Sequence, residues 1–379
     1  MKSLLTFFKN PAGRFLLVAI GWQLAFTILG LLLSQGQGVF SHMNHWDAGW
    51  YHLIINEHYT ITSSPASPAF YPLFPLLVGT LSLGFIDTTL IALLLNTASL
   101  WLALLALYKI LKHYKLSPQA TTAALFTFLC FPSAFFMHVF YSEALFIALA
   151  FWSYYFALKQ KWWAVGTLLA FLTAARLPSV LFILLAGLEY LRSYNWNIKK
   201  SLNKNLLWFL LTPLGFIAYG LYLYIMRGDF LAMFHAYSAT NDWTYQHFSL
   251  NIFPTIWTAT ATGVTGLTGL GAYEHFINSF LPILAIVTIV AASTYLFVRL
   301  KSRAVPLFVF CLASIPLFTI NSNVVSVHRY ALPIIGIYIA VAFFYKKGVR
   351  ALAIYTACAL MLIVQLFLFA KFAAGVFAG

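Results

Sequence analysis

Apolar runs long enough to cross a bilayer recur from one end of this chain to the other, and they dictate its fold class. About 20 apolar residues in a helix cover the roughly 30 Å of hydrocarbon in a membrane. Of the 379 residues, 62% are hydrophobic and 8% charged, where a soluble domain carries roughly 25% charged residues. The sequence predicts an all-α, polytopic membrane protein, one unit over residues 1–379 with no soluble domain. Only 8 residues are acidic, so each acid away from a helix end is a candidate for chemistry by elimination.

The formal net charge of +14 raises the possibility of a nucleic-acid partner, but its distribution argues against one. Eighteen of the 22 Lys and Arg fall in short connectors, such as Lys109, Lys112 and Lys115 or Lys199, Lys200 and Lys204. If those connectors are cytoplasmic, the positive-inside rule sets the orientation, with a cytoplasmic N-terminus and an external C-terminus. Asp47, Glu57, Asp87, Glu143, Asp229, Asp242 and Glu274 then lie on the far side, and only Glu189 does not. The basic excess reads as topology with weak attraction to anionic lipid. The run 15–33 has a basic flank and no small-residue cleavage pattern, so it reads as an uncleaved first helix. Cys130, Cys311 and Cys358 lack paired spacing and read as packing residues.

Charge also decides the short run 70–83, interrupted by Pro72 and Pro75. If it spanned, Lys109, Lys112 and Lys115 would join the acids, so a re-entrant or interfacial helix is expected. Fuller spans follow over 88–108, 118–137, 142–158, 206–226, 276–298, 304–320, 330–345 and 351–370. Between them, two arms, 162–175 and 178–188, flank Arg176-Leu177-Pro178. At ~1.5 Å per residue each arm is only about 15–21 Å long, so the hairpin should turn inside the bilayer with Arg176 at membrane depth. The total is about 11 membrane segments, with two large external loops, 34–69 and 227–273. The second carries Asp229, Asp242, Trp243, Tyr245, Phe248 and Trp257. No fixed-period repeat is evident.

The first loop contains His45-Trp46-Asp47-Ala48-Gly49-Trp50-Tyr51. Two readings of Asp47 are open: a helix cap, or a carboxylate whose apolar shell perturbs it for function. His42, His45 and His52 could share a helical face, but they lack the compact spacing of a metal site and read as interfacial. Phe131-Pro132 followed by Tyr141-Ser142-Glu143 makes a second external corner, where Ser142 either caps the next helix or serves the site. Arg176 and Arg329 are basic groups on the acidic side, and an intramembrane charge is a functional hypothesis by default. The bland alternatives are pairing of Arg176 with a buried acid such as Glu143, and snorkelling of Arg329, which follows Asn321-Ser322-Asn323, to the interface.

Taken in order, Trp46-Asp47 with Trp50-Tyr51, then Ala69-Phe70-Tyr71-Pro72-Leu73-Phe74-Pro75, Phe131-Pro132, Tyr141-Ser142-Glu143 and Arg329-Tyr330 resemble one known family. It is that of the second mannosyltransferase of glycosylphosphatidylinositol assembly and its bacterial relatives, within the GT-C glycosyltransferases. The resemblance covers residues 14–191 and 326–333. It implies a GT-C-like fold in a cell membrane, bacterial in origin, and an inverting transfer of mannose or a similar hexose from a polyprenyl-phosphate donor. A glycan or lipid acceptor would be used on the extracytoplasmic face, with no cofactor or metal. Asp47 matches the catalytic acid, acting as general base on the acceptor hydroxyl. Arg176 or Arg329 would steady the leaving phosphate. Trp46, Trp50, Tyr51, Glu143 and Tyr330 would line the substrates, together with His45, which stands where family members carry a basic residue. A secondary transporter with broken helices and lone charges, or an inactive scaffold keeping the fold alone, are the competing readings.

Overall fold

Backbone satisfaction governs how this chain folds, because lipid offers no partner to an open N–H or C=O. The computed structural model describes residues 10–34, 38–237, 249, 251–268, 271–320 and 322–379. Among the described residues every regular element is helical. Five helical stretches are long and apolar enough to cross a membrane: Pro11–Leu33, Thr88–His113, Lys204–Arg227, Ala272–Thr319 and Val349–Ala373. The fourth is broken by a 3-10 turn at Lys301–Ala304, which divides Leu281–Leu300 from Val305–Thr319. The protein is an integral membrane protein.

Local signals set the helix starts. Asn10 accepts a hydrogen bond from the Gly13 N–H, and Asp87 and Ser117 cap their helices in the same way. Each satisfies one of the orphan donors of a first turn. Thr88–His113 packs against Pro11–Leu33 and Glu143–Leu158, and the latter also meets Trp162–Thr173 and Ser179–Ser193. Small buried residues on both helices, Ser99, Ala103 and Ala106 facing a run that includes Ala144 and Ala148, suit close backbone approach.

Three expected spans differ in the structure, each at a proline: that over 206–226 is a 3-10 helix, Lys204–Leu211, and an α-helix, Leu214–Arg227, parted at Pro213. The helix expected over 118–137 is Pro118–Leu129 only. Pro132 lacks an N–H and disfavours a helical residue before it. Residues 130–142 form a fully buried corner. Its carbonyls are met from outside: Asn96 donates to Val139 O at 2.8 Å and Gln23 to Met137 O at 3.0 Å. The span expected over 330–345 is divided by Pro333 into the turn Val327–Tyr330 and the ten-residue helix Ile335–Phe344.

The short helix after the first loop is Leu73–Leu81, nine residues. It packs against the loop helix Asp47–Glu57, and its Leu73 N–H donates to Ala174 O at 3.0 Å, in the turn of the Arg176 hairpin. Loop, short helix and hairpin tip therefore share one end of the molecule. Arg227 ties the second loop to it by donating to Tyr59 O at 3.0 Å, Ser64 O at 2.9 Å and Ser67 Oγ at 3.1 Å. Two of the basic connectors meet at the other end, where Lys109 and Lys159 both lie over Tyr155. Glu189, the acid out of place, pairs there with Arg192. Asp242, Trp243, Tyr245, Phe248 and Asn321 lie outside the described residues.

This segregation makes a test of sidedness simple. Ile61 is exposed at the loop-bearing end and Gln119 at the basic end. Thiols introduced by Ile61→Cys and Gln119→Cys should differ in intact cells, with an impermeant maleimide reaching only the first. Labelling of the second alone would reverse the orientation drawn from the charges.

Candidate functional site

Trp46 carries the first constraint on the site. Its backbone sits at φ 55°, ψ −116°, a strained conformation for a bulky residue, immediately before the helix Asp47–Glu57. The turn is held by Tyr141, whose hydroxyl accepts from the Asp47 N–H at 3.0 Å and donates to His45 O at 3.2 Å. Trp46, not Asp47, occupies the cap position, and no side-chain cap bond is made. That corrects the capping reading of Asp47 and leaves its carboxylate for other partners.

Its partner is Arg329. Asp47 Oδ2 accepts from Arg329 Nη1 at 2.7 Å. The same guanidinium turns its Nε to Glu143 Oε1, and Arg176 Nη1 reaches that oxygen from the other side. The result is a continuous series, Asp47–Arg329–Glu143–Arg176, alternating in sign and drawn from four distant parts of the chain. Arg329 is 4% exposed, so it does not snorkel. Its guanidinium lies 4.6 Å from the Tyr141 ring centroid and 4.8 Å from that of Phe136. Arg176 lies 5.7 Å from the Tyr330 ring. Such cation–π packing is strongest where water is excluded.

Glu143 opens its helix after Ser142, whose side chain makes no cap bond. The Ser142 hydroxyl pairs with Tyr51 Oη at 2.9 Å and accepts from Arg176 Nη1 at 3.4 Å. Ser142 thus joins the network instead of capping. The second Glu143 oxygen, Oε2, is buried without a hydrogen-bond partner among the described residues. A buried acceptor left open in this way is costly in a protein interior.

Trp50 stacks on Phe70 at 5.5 Å, Tyr51 packs edge-on to Phe74 at 5.2 Å, and Trp46 remains half exposed beside Asp47. His45 rests against Phe372. The histidines do not share a face. His42 lies in a separate turn, Ser41–Met43, and pairs with His138 at 3.2 Å, whereas His52 pairs with Asn44 at 3.0 Å. Burial, then the neighbouring His45, pulls the His42 pKa down to about 4. Its ring fills the space that a side chain at Gly30 would need.

Beside the charged series lies a narrow cleft with about 10 Å³ of free space, room for roughly one water molecule. Arg176, Arg329 and Glu143 stand at its polar head, and Phe146, Ile147, Pro178 and Pro333 form apolar walls. Sequence reasoning did not single out Tyr141, Phe136 or His328 as site residues. Phe136 ends the stretch that opens with Phe131-Pro132, Tyr141 stands in the motif with Ser142-Glu143 and His328 precedes Arg329, but nothing in those runs says that any of the three touches the charges.

No protein-family model matches the chain, and no curated protein matches it. Among solved structures it is similar to the oligosaccharyltransferase of Archaeoglobus fulgidus in its apo form, with 12% identity and a TM-score of 0.46 over 94% of this chain. The chain spans 56% of that protein's length. It is also similar to ArnT from Cupriavidus metallidurans in the apo state, with 14% identity and a TM-score of 0.44 over 94% of this chain and 78% of that one.

Sharing one carboxylate between two buried arginines has an energetic consequence. Glu143→Gln leaves both guanidiniums short of countercharge, and loss of one partner from a buried pair costs about 3–5 kcal/mol. Thermal unfolding in detergent should show that loss, and adding Arg176→Met to the same protein should recover part of it. A Glu143→Gln protein as stable as the parent would mean that the series contributes little to folding.

Proposed function

We propose that this protein is a GT-C-like membrane glycosyltransferase that moves a hexose, mannose in first place, from a polyprenyl phosphate to an acceptor hydroxyl on the extracytoplasmic face. The observation that carries the reading is the placement of Arg176 and Arg329 at the head of an apolar-walled cleft, with Asp47 on the opposite flank of Arg329. A donor of this kind is an amphiphile, anionic at one end and hydrocarbon at the other. Its phosphate matches the two guanidiniums in charge, and its chain matches the surfaces of Phe146, Ile147, Pro178 and Pro333 in polarity.

The chemistry follows from that placement. The acceptor hydroxyl gives its proton to Asp47 as its oxygen bonds to the anomeric carbon. The bond from that carbon to the phosphate oxygen breaks, and its electron pair leaves with the polyprenyl phosphate. Attack opposite the leaving group inverts the centre. Arg176 and Arg329 stabilise the charge developing on the phosphate, where low polarity strengthens the effect. Arg329 also holds Asp47 Oδ2 in this state. A phosphate that draws the guanidinium toward the cleft frees that oxygen to accept a proton, so donor binding prepares the base. Trp46, half exposed beside Asp47, supplies an aromatic face for a sugar, and Trp50 and Tyr51 hold the loop helix in place. His45, where the family pattern has a basic residue, packs on Phe372, so the arginines carry the phosphate contacts.

A transporter reading asks for charges at mid-depth between related halves. Here the series lies at the loop-bearing end, beside Tyr141 and the first loop.

Asp47→Asn keeps size and can still accept from Arg329, but it cannot take a proton. Sugar transfer in membranes from a polyprenyl-phosphate mannose should fall by roughly 10²- to 10⁴-fold in kcat, with donor binding little changed. Near-parental transfer by this variant would remove Asp47 from the reaction. Arg176→Lys keeps charge but loses the planar fork that grips an anion in two places. Its expected signature is a raised donor KM in a folded protein; an unchanged donor KM would assign the phosphate elsewhere.

A further inference from the structure

The helix Val349–Ala373 ends in a turn that sends residues 374–379 back across the site. Gly375 takes the left-handed conformation at φ 77°, and the Val376 N–H returns to Lys371 O at 2.9 Å, a glycine-based stop. Beyond it, three successive backbone oxygens are held by three side chains. Tyr273 Oη donates to Phe377 O at 2.6 Å, His328 Nε2 to Ala378 O at 3.2 Å, and Arg329 Nη1 to Gly379 O at 3.3 Å. The Phe377 ring stands edge-on to Trp46 at 5.2 Å. Arg329 Nη1 is thus the donor both to this segment and to Asp47 Oδ2. The segment lies beside Asp47, joined to it by this shared donor and by the contact of Phe377 with Trp46.

We propose that the groove filled by residues 377–379 is the acceptor subsite, and that the segment is an exchangeable occupant which withdraws to admit a neutral, hydroxyl-rich acceptor. The proposal deepens the glycosyl-transfer reading and rests on it. Three features define the ligand class. Tyr273 and His328 each offer a hydrogen-bond donor to an uncharged carbonyl, those of Phe377 and Ala378. The one cation among the donors, Arg329, already faces two carboxylates, so an added charge would gain little there. The exposed face of Trp46 suits the C–H surface of a sugar ring, as it now suits the edge of Phe377. Few and separate bonds hold the segment, so its release requires no unfolding of the helices beneath it.

Thiol reactivity tests this on the full chain in nanodiscs. Cys130 and Cys358 are replaced by Ala, and Cys311, fully buried in the core, is kept as the internal reference. Ala378→Cys, at a position 1% exposed, reports release of the segment, and Phe377→Cys serves as a second reporter should the first fail to fold. The introduced thiol should react with a water-soluble maleimide at least about ten-fold faster than Cys311, because local opening is easier than global unfolding. Methyl α-mannoside should raise that rate further and saturably, by capturing the open state. Reaction no faster than Cys311 overturns the exchangeable segment. Acceleration by a phenylalanyl-alanyl-glycine tripeptide but not by the sugar overturns the glycan subsite in favour of a peptide one. Sugar-dependent labelling in a protein that transfers no sugar would retire the enzyme reading and leave the subsite standing.

Discussion

Glu143 lies between two guanidinium groups in a medium that tolerates neither an isolated anion nor an isolated cation, and the arrangement around it sets the geometry of the whole loop-bearing end. Burying any one of the four charges alone would oblige the chain to expose it or neutralise it. Alternating Asp47, Arg329, Glu143 and Arg176 lets Arg329 and Glu143 stay buried with Arg176 and the partly exposed Asp47 at either end, provided that four remote segments arrive at one place. The first loop, the buried corner before Glu143, the hairpin and the late turn Val327–Tyr330 are therefore positioned by one electrostatic condition. Tyr141 and Phe136 cover the Arg329 guanidinium and exclude water from it.

That condition is met by backbone that is not helical, which a membrane protein can hold only where other side chains supply hydrogen bonds. Residues 130–142 are served by Asn96, Gln23 and the backbone of Met43, and the Ser133 hydroxyl bonds back to His328 O. Buried polar residues on otherwise apolar helices thus support the irregular segment that leads into the helix opened by Glu143. The half-helices to either side, Pro118–Leu129 and Ile335–Phe344, stop short of a crossing to leave room for this corner. Rigid supports under a charged network are what preorganised catalysis requires, since charges that need not rearrange stabilise a transition state best.

Membrane class, the separation of basic and acidic ends and the short helix after the first loop were legible because each depends on composition or on runs of neighbouring residues. Hydropathy and connector charge are additive along the chain, and Pro72 and Pro75 announce their own interruption. The broken helices at Pro132 and Pro333 were written in the sequence too, but a proline inside an apolar run does not say how far the helix retreats. The candidate site was legible as separate members, Asp47, Glu143, Arg176 and Arg329, because rare charges in an apolar chain stand out. Tyr141, Phe136 and Tyr273 did not stand out, being aromatics in a chain that is 18% aromatic.

By itself the sequence determined that this chain enters a membrane, which of its ends carries the acids, and which few residues can hold charge inside. Those properties follow from transfer free energies and from the positive-inside rule, which act residue by residue. The sequence offered Glu143 as a partner for Arg176, as found; tertiary structure decided that Arg329 bridges Asp47 and Glu143, that both arginines share one Glu143 oxygen, and that residues 377–379 lie beside them. Such contacts join residues separated by as many as 282 positions. Coulomb attraction between buried groups depends on distances of a few ångströms, and only the packed helices set those distances.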